Sequence, residues 1–264
     1  MDVRTAPSDC RIDAVSLLTV LTGRAVPFTR PGSASAIAKQ PRTERIEVHA
    51  EGLHGDEQGD RRVHGGPDKA VHHYPLDHYP PWRDELGAHP LLRAAGAFGE
   101  NLSTLGMTEQ NVCLGDRFAV GSAMLEVSQG RMPCWKLNDR FGVPRMARRV
   151  QDTGRTGWYY RVLQPGALCL GDSLALLERP HPAWPLARLS ALLFQRVLDF
   201  DELRAAQALP LVPSWRRLID TRLARGERED WSRRIDGPDS TTPVEALPVP
   251  FNGVVPAAGD AHDG

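Results

Sequence analysis

Two stretches of the chain carry the same local pattern: Val112-Cys113-Leu114-Gly115-Asp116-Arg117-Phe118-Ala119-Val120 and Leu168-Cys169-Leu170-Gly171-Asp172-Ser173-Leu174-Ala175-Leu176. In each, a glycine and an aspartate make a turn that feeds an alternating run, as a strand with one buried face requires. The first run passes through Gly121-Ser122, a two-residue hairpin loop with glycine leading, into a second run ending at Val127. Further short strands are expected at 12–21, ending at Gly23, at 45–49 and at 157–163. Only two helices are expected among them. One is 77–86, with Trp82 and Leu86 buried and its start set or broken by Pro80-Pro81; the other is 144–153, capped by Gly154. Many short strands with few helices predict a mainly β, closed antiparallel sheet, a barrel. Cys113 and Cys169 hold equivalent places in the echo and read as packing residues, not redox partners.

Past Leu177 the period changes. Arg179-Pro180-His181-Pro182-Ala183-Trp184-Pro185 is a proline-rich boundary, and three helical patterns follow. They are marked by Leu186, Leu189, Leu193 and Val197; by Leu203, Ala206 and Leu209; and by Trp215, Leu218, Ile219 and Leu223 between a Ser214 N-cap and Gly226. The expected organisation is a loose tail over 1–11, a barrel over 12–178, a linker over 179–185, a small three-helix domain over 186–235 and a disordered tail over 236–264.

Thirty-two Lys and Arg against 33 Asp and Glu leave a formal charge of -1, so no global field draws the protein to a nucleic acid polymer or an anionic membrane. The helical part, with ten Arg against eight acidic residues over 187–236, does not supply a basic face either. Apolar runs are too short to span a bilayer and the N-terminus lacks signal-peptide features, so the cytoplasm is expected. The four cysteines form no close-spaced pair and read as reduced thiols. An apolar stripe on the helices would be covered by a homodimer contact.

The chemistry concentrates around Cys134. The lead-in from Ala123 alternates like a strand and Pro133 cannot donate to a continuing ladder, so the thiol falls where the strand ends. Arg131 and Lys136 flank the sulfur and would favour the thiolate, the form that is both nucleophile and metal ligand. A buried structural cysteine is the alternative. Three loops offer polar company. The first, 31–41, holds Ser35 and Lys39, able to grip a phosphate or simply to lie in a flexible loop. In the second, Gly65-Gly66-Pro67-Asp68 has the backbone freedom and donors for close approach of a ligand. Of His72 and His73, just after it, at most one can face a given pocket. The third, 98–103, offers an amide and a carboxylate for polar ring edges, or is a plain turn. His73 and His78 lack the two further ligands a zinc site needs.

Six motifs in order resemble the MOSC domain family, related to the C-terminal part of molybdenum cofactor sulfurase, and in particular its YiiM-like branch. They are Ser-Ala-Ile-x-Lys (35–39), Gly-Leu-x-Gly-Asp-x-Gln (52–58), His-Gly-Gly-Pro-Asp-Lys-Ala (64–70), Phe-Gly-Glu-Asn-Leu (98–102), Ser-Gln-x-Arg-x-Pro-Cys (128–134) and Gly-Arg-Thr-Gly-Trp-Tyr (154–159). The resemblance implies a MOSC-type antiparallel β-barrel with a few short helices, followed by a three-helix α domain. It also implies a molybdopterin-type molybdenum cofactor in the barrel mouth, with Cys134 as metal ligand and catalytic residue. Ser35, Lys39, His64, Gly65, Gly66, Lys69, Asn101 and Arg131 would then bind the cofactor's phosphate and pterin. The implied activity is reduction of small N-hydroxylated compounds, including hydroxylaminopurine-type base analogues. Electrons would come from an external flavin-containing reductase, since the chain has no dinucleotide fingerprint. The rival functions are a sulfur carrier with a Cys134 persulfide and a non-catalytic cofactor-binding module. Gly130, where the branch often has proline, the Pro80-Pro81 pair and the tail after Asp236 depart from the family pattern.

Overall fold

The echoed segments build the same turn twice. Asp116 Oδ2 accepts from the Cys113 N–H at 2.9 Å, and Asp172 Oδ2 accepts from the Cys169 N–H at 2.9 Å. The intervening glycines take φ values of 78° and 86°, open to glycine at no steric cost. The strands they launch, Arg117–Val120 and Ser173–Glu178, then lie side by side and antiparallel, with Phe118 opposite Leu176. Cys113 is buried, as the echo predicts. Cys169 is not: it is half-exposed, and its thiol donates to Asp172 Oδ1 at 3.3 Å, because its turn lies at the surface.

The computed structural model describes residues 12, 14–59, 65–194 and 198–237. Its main sheet has nine strands in the order Ala14–Ser16, Ser173–Glu178, Arg117–Val120, Ala123–Gly130, Trp158–Gln164, Val71–His73, Leu102–Ser103, Thr19–Thr22 and Gln40–Pro41. All pairings are antiparallel except that of Val71–His73 with Leu102–Ser103. The single strand expected over 12–21 is divided, and the division curls the sheet. The Leu17 N–H bonds Asp172 O at 2.9 Å on one side and the Leu18 N–H bonds Ser103 O at 3.0 Å on the other, so one segment serves both ends of the sheet. Inside lie Val20, Val71, Leu102, Phe118, Leu125, Val127, Trp158 and Leu174, each at most 1% exposed. Burying a side chain of this kind stabilises by about 1.5–3 kcal/mol.

The helix Tyr79–Leu86 begins one residue before Pro80, so both prolines sit in the first turn, where their missing N–H groups remove no helical bond. Met146–Thr153 ends at Gly154 with φ 71°, as expected. A third helix, Lys136–Phe141, starts two residues after Cys134, with Trp135 as its N-cap, and closes on Gly142 at φ 61°. It was not foreseen.

The appended helices are Leu186–Phe194, Phe200–Gln207 and Pro213–Arg225, with Leu189, Leu193, Leu203, Ala206, Trp215 and Ile219 as their core. Val197, expected in the first, lies outside the described residues. Val212, not Ser214, is the N-cap of the third helix, because Pro213 occupies the first helical position. The stretch around Pro185 is fixed to the barrel: Leu186 N–H bonds Val112 O at 2.8 Å, Ala187 N–H bonds Glu109 O at 2.7 Å, and Leu114 joins the helical core. A short helix, Ser232–Ile235, then returns to the barrel and buries Ile235 with Tyr74, Trp82, Phe98 and Phe141. The expected tail over 1–11 lies outside the described residues, as does the expected C-terminal tail from 238 onward. Asp236 is placed, its carbonyl accepting from Arg30 Nη1 at 3.1 Å.

Candidate functional site

Ala123–Gly130 delivers the site. Its neighbour Trp158–Gln164 holds it through Gly130, and the Arg131 N–H makes a last bond to Gly157 O at 2.9 Å. Pro133 then ends the ladder, and Cys134, 8% exposed, sits between the strand and the helix that follows. The return helix grips the backbone on both sides of the sulfur: the Trp135 N–H donates to Arg234 O at 2.8 Å, and the Arg234 guanidinium donates to Pro133 O.

The cations expected to flank the thiol line its pocket and are also held by the fold. Lys136 Nζ donates to Ala34 O at 2.6 Å, and Arg131 lies buried with Nη1 unpartnered among the described residues. Two cations from elsewhere in the chain, Lys69 and Arg234, also interact with Cys134. Burial pushes both below their ordinary values, Arg234 to about 10, and a negative charge on Cys134 opposes the shift in each.

Ser35, Lys39, Lys69, Asn101, Arg131 and Cys134 line one pocket together with Asp56, His72 and Tyr159. Gly65 and Gly66 do not line it. Gly66, at φ 93°, opens the turn Pro67–Lys69, whose last N–H returns to Gly66 O at 2.9 Å, and that turn presents Lys69. His64 lies outside the described residues.

Several expected ligand groups are occupied by the fold itself. Lys39 forms an ion pair with Asp56, which also accepts from Gly23 N–H and from Asn101 Nδ2, both at 2.8 Å. Asn101 Nδ2 donates further to Leu21 O at 3.0 Å, and Oδ1 accepts from the His72 N–H at 2.9 Å, so the amide is a brace. Glu100, offered by sequence for ring edges, turns inward. Its carboxylate accepts from Gly96 N–H at 2.6 Å, Phe98 N–H at 3.0 Å and the Tyr79 hydroxyl at 2.5 Å, shaping the loop 98–101.

Of the adjacent histidines, His72 faces the pocket. Burial first, then the charge of Arg131, holds its ring well below the usual range, and Nε2 has no partner among the described residues. His73 faces the barrel core, stacked on Trp158 at 4.3 Å and pushed down to about 3 by burial. His78 bonds Glu109 at 2.7 Å.

Arg131 and His72 each keep one buried nitrogen without a partner among the described residues, which is a polar capacity that the fold itself leaves unused. With a thiol and the Lys69 ammonium in the same pocket, the donor set fits an anionic, polar group bearing a soft metal. A second cleft shares Lys69, Cys134, Lys136 and Tyr159 with this pocket and is walled by Arg30, Trp135, Ser214, Arg233 and Arg234. The sulfur therefore stands where an inner pocket meets an outer cleft. Sequence reading missed Asp56, although it lies inside a quoted motif, and left His72 undecided against His73. It had no signal for Arg234, since nothing local marks a residue that acts from the far end of the chain.

The sequence matches the model of the MOSC domain over residues 60–175 and that of the YiiM-like, 3-alpha helix domain over residues 184–226. It is 41% identical over 219 residues to protein YiiM of Escherichia coli, covering 83% of this chain and 97% of that one. A Gibberella moniliformis protein named Reductase is 43% identical over 197 residues, which is 74% of this chain and 35% of the fungal one. The crystal structure of YiiM from Escherichia coli superposes with a TM-score of 0.70 at 34% identity, covering 83% of this chain and 98% of that one.

Proposed function

The chain belongs to the MOSC domain family, in the branch that carries the YiiM-like 3-alpha helix domain, and on that premise we propose that it is a molybdenum-cofactor-dependent reductase of N-hydroxylated compounds such as hydroxylaminopurine-type bases, supplied with electrons by a separate flavin-containing reductase. Family membership and the fungal relative fit a reductase-like role, though the fungal name belongs to a protein of which this chain matches 35%. One observation carries the finer reading: Arg131 and His72, each with a buried nitrogen unpartnered among the described residues, line the same pocket as Cys134 and Lys69.

When bound, the cofactor would supply the two-electron chemistry of N–O cleavage, for which no side chain here is suited. The chain's own residues would bind and orient. Cys134 Sγ would ligate the metal, while Arg131 Nη1 and Lys69 Nζ would hydrogen-bond and neutralise anionic atoms of the cofactor. The His72 ring would border the bound group. Asp56 and Asn101 would act one step removed, by holding Lys39 and the His72 backbone in place. The outer cleft, whose walls include Trp135 and Tyr159, would admit a flat heteroaromatic base. Reduction of N–OH to amine and water consumes protons, and Lys69, its pKa lowered by burial, is a better acid than a surface lysine. No helix among the described residues is long and apolar enough to cross a membrane; a cytoplasmic location is part of the same proposal.

The test is metal and pterin analysis of protein from a cofactor-competent host, with turnover of hydroxylaminopurine in the presence of a flavin reductase. Molybdenum and turnover should both be present in the wild type and both be lost in Cys134→Ala. A Cys134 persulfide without metal would put a sulfur carrier in place of the reductase, and bound cofactor without turnover would leave a non-catalytic binding module.

A further inference from the structure

The hairpin formed by Ile46–His49 and Gly52–Leu53 turns its apolar residues inward and three ligand-bearing ones outward. Ile46 and Val48 are buried, while Glu47 and His49, two apart and so on one face of the strand, are exposed. The His54 N–H donates to Glu47 O at 2.8 Å, which sets His54 across the hairpin from Glu47. Glu47 Oε2 and His49 Nε2 lie 3.4 Å apart. One donor atom from each of Glu47, His49 and His54 falls within 4.8 Å of the other two, and no other such trio occurs among the described residues. The two imidazoles meet edge-on with centroids 6.1 Å apart, so neither ring covers the other's nitrogens by stacking.

These distances can be set against a metal's needs. Tetrahedral zinc with nitrogen and oxygen ligands at about 2.1 Å spaces its ligand atoms about 3.4 Å apart. The Glu47 and His49 atoms already span one such edge, and His54 needs only an exposed side-chain rotation to close the face. We propose that this hairpin is a binding site for a divalent late transition-metal ion, Zn²⁺ above all, ligated by Glu47, His49 and His54 with water completing the tetrahedron. Two imidazoles and one carboxylate select Zn²⁺, Ni²⁺ or Cu²⁺ over Mg²⁺ and Ca²⁺, which take oxygen shells. The chain beyond His54 runs through Gly55 to Asp56, which holds Lys39 and Asn101 in the inner pocket. Metal on the hairpin thus pins the arm that carries the pocket's brace. The site shares no residue with the Cys134 pocket and stands whether or not the reductase reading does.

The experiment is calorimetric titration of tag-free, metal-stripped protein with Zn²⁺, repeated on Cys134→Ser so that any zinc at the thiol is counted separately. One zinc site should persist in Cys134→Ser and should weaken about tenfold or more in His49→Ala and in His54→Ala, because even outer-sphere partners of metal ligands are worth about 10–100-fold. Mg²⁺ should produce no such site. All three hairpin side chains are exposed, so the variants should keep the wild-type urea transition without metal, separating lost ligation from lost folding. Undiminished zinc affinity in both histidine variants would overturn the proposal, and so would disappearance of the site in Cys134→Ser.

Discussion

Replacing Asp56 by asparagine keeps the shape of the pocket's brace and removes its charge. The Lys39 and Asp56 side chains are only 6% and 4% exposed. Burial pushes the Lys39 ammonium below its ordinary 10.5, with Asp56 the largest opposing influence. Unit charges about 4 Å apart attract by about 4 kcal/mol at an effective dielectric of about 20, and removing one partner of a buried pair costs about 3–5 kcal/mol. Asparagine can still accept from the Gly23 N–H, so Asp56→Asn should cost about 3–5 kcal/mol at pH 7 by urea denaturation. Adding Lys39→Met should restore the part owed to the stranded charge, since a well-packed apolar side chain leaves no buried charge, but not the bond that Asp56 Oδ2 accepts from Asn101 Nδ2. The pH dependence has a definite sign. In Asp56→Asn the folded-state pKa of Lys39 falls further below 10.5, so above that lowered pKa the unfolded chain holds more protons. The variant should then regain stability relative to wild type as pH rises toward 10.5, by up to about 1.4 kcal/mol per pH unit. A loss below about 1 kcal/mol at pH 7, or a loss that does not shrink at pH 9, would refute the buried-pair argument.

His73, whose pKa is pushed down to about 3, is neutral in the fold but protonates in the unfolded chain below about 6.5. Stability should therefore fall as pH drops from about 6.5 toward 3, by about 2 kcal/mol at pH 5 from this ring alone, and His73→Gln should flatten that limb of a pH-dependent denaturation series. Glu100→Ala strands the Gly96 and Phe98 N–H groups and the Tyr79 hydroxyl; at about 1–3 kcal/mol each the cost should be at least about 3 kcal/mol in thermal denaturation, and a smaller one would show that the loop re-forms without its brace. Cys113→Ala, at a fully packed position, should cost about 1 kcal/mol, whereas Cys169→Ala should stay within about 0.5 kcal/mol by the same measurement; equal costs would contradict their different burial.

Local chemistry was legible in the sequence. A glycine and an aspartate at fixed spacing suffice to make the turns at Gly115 and Gly171, because both partners of the bracing bond lie within four residues. Pro133 ends its strand wherever that strand goes, since proline has no N–H to give. Gly154 and Gly226 stop helices for the same kind of reason, a left-handed φ that other residues adopt at a cost. Alternation showed that one of His72 and His73 faces away from the other, and the motif order pointed to the barrel family.

What the tertiary structure alone decided is which charges see which. Arg131 and Lys136 are neighbours of Cys134 along the chain and line its pocket, and their side chains also bond Tyr159 and Ala34 O. Lys69 and Arg234 join them, one from a turn far earlier in the chain and one from the return helix. Asp56 and Asn101 became braces and Glu100 an inward acceptor for the same reason: folding buried backbone N–H groups and an ammonium that needed partners, and these were the polar groups within reach. Sequence spacing governs contacts over a few residues. Beyond that, sheet closure chooses the neighbours, and a buried polar group bonds to whatever the closure brings to it.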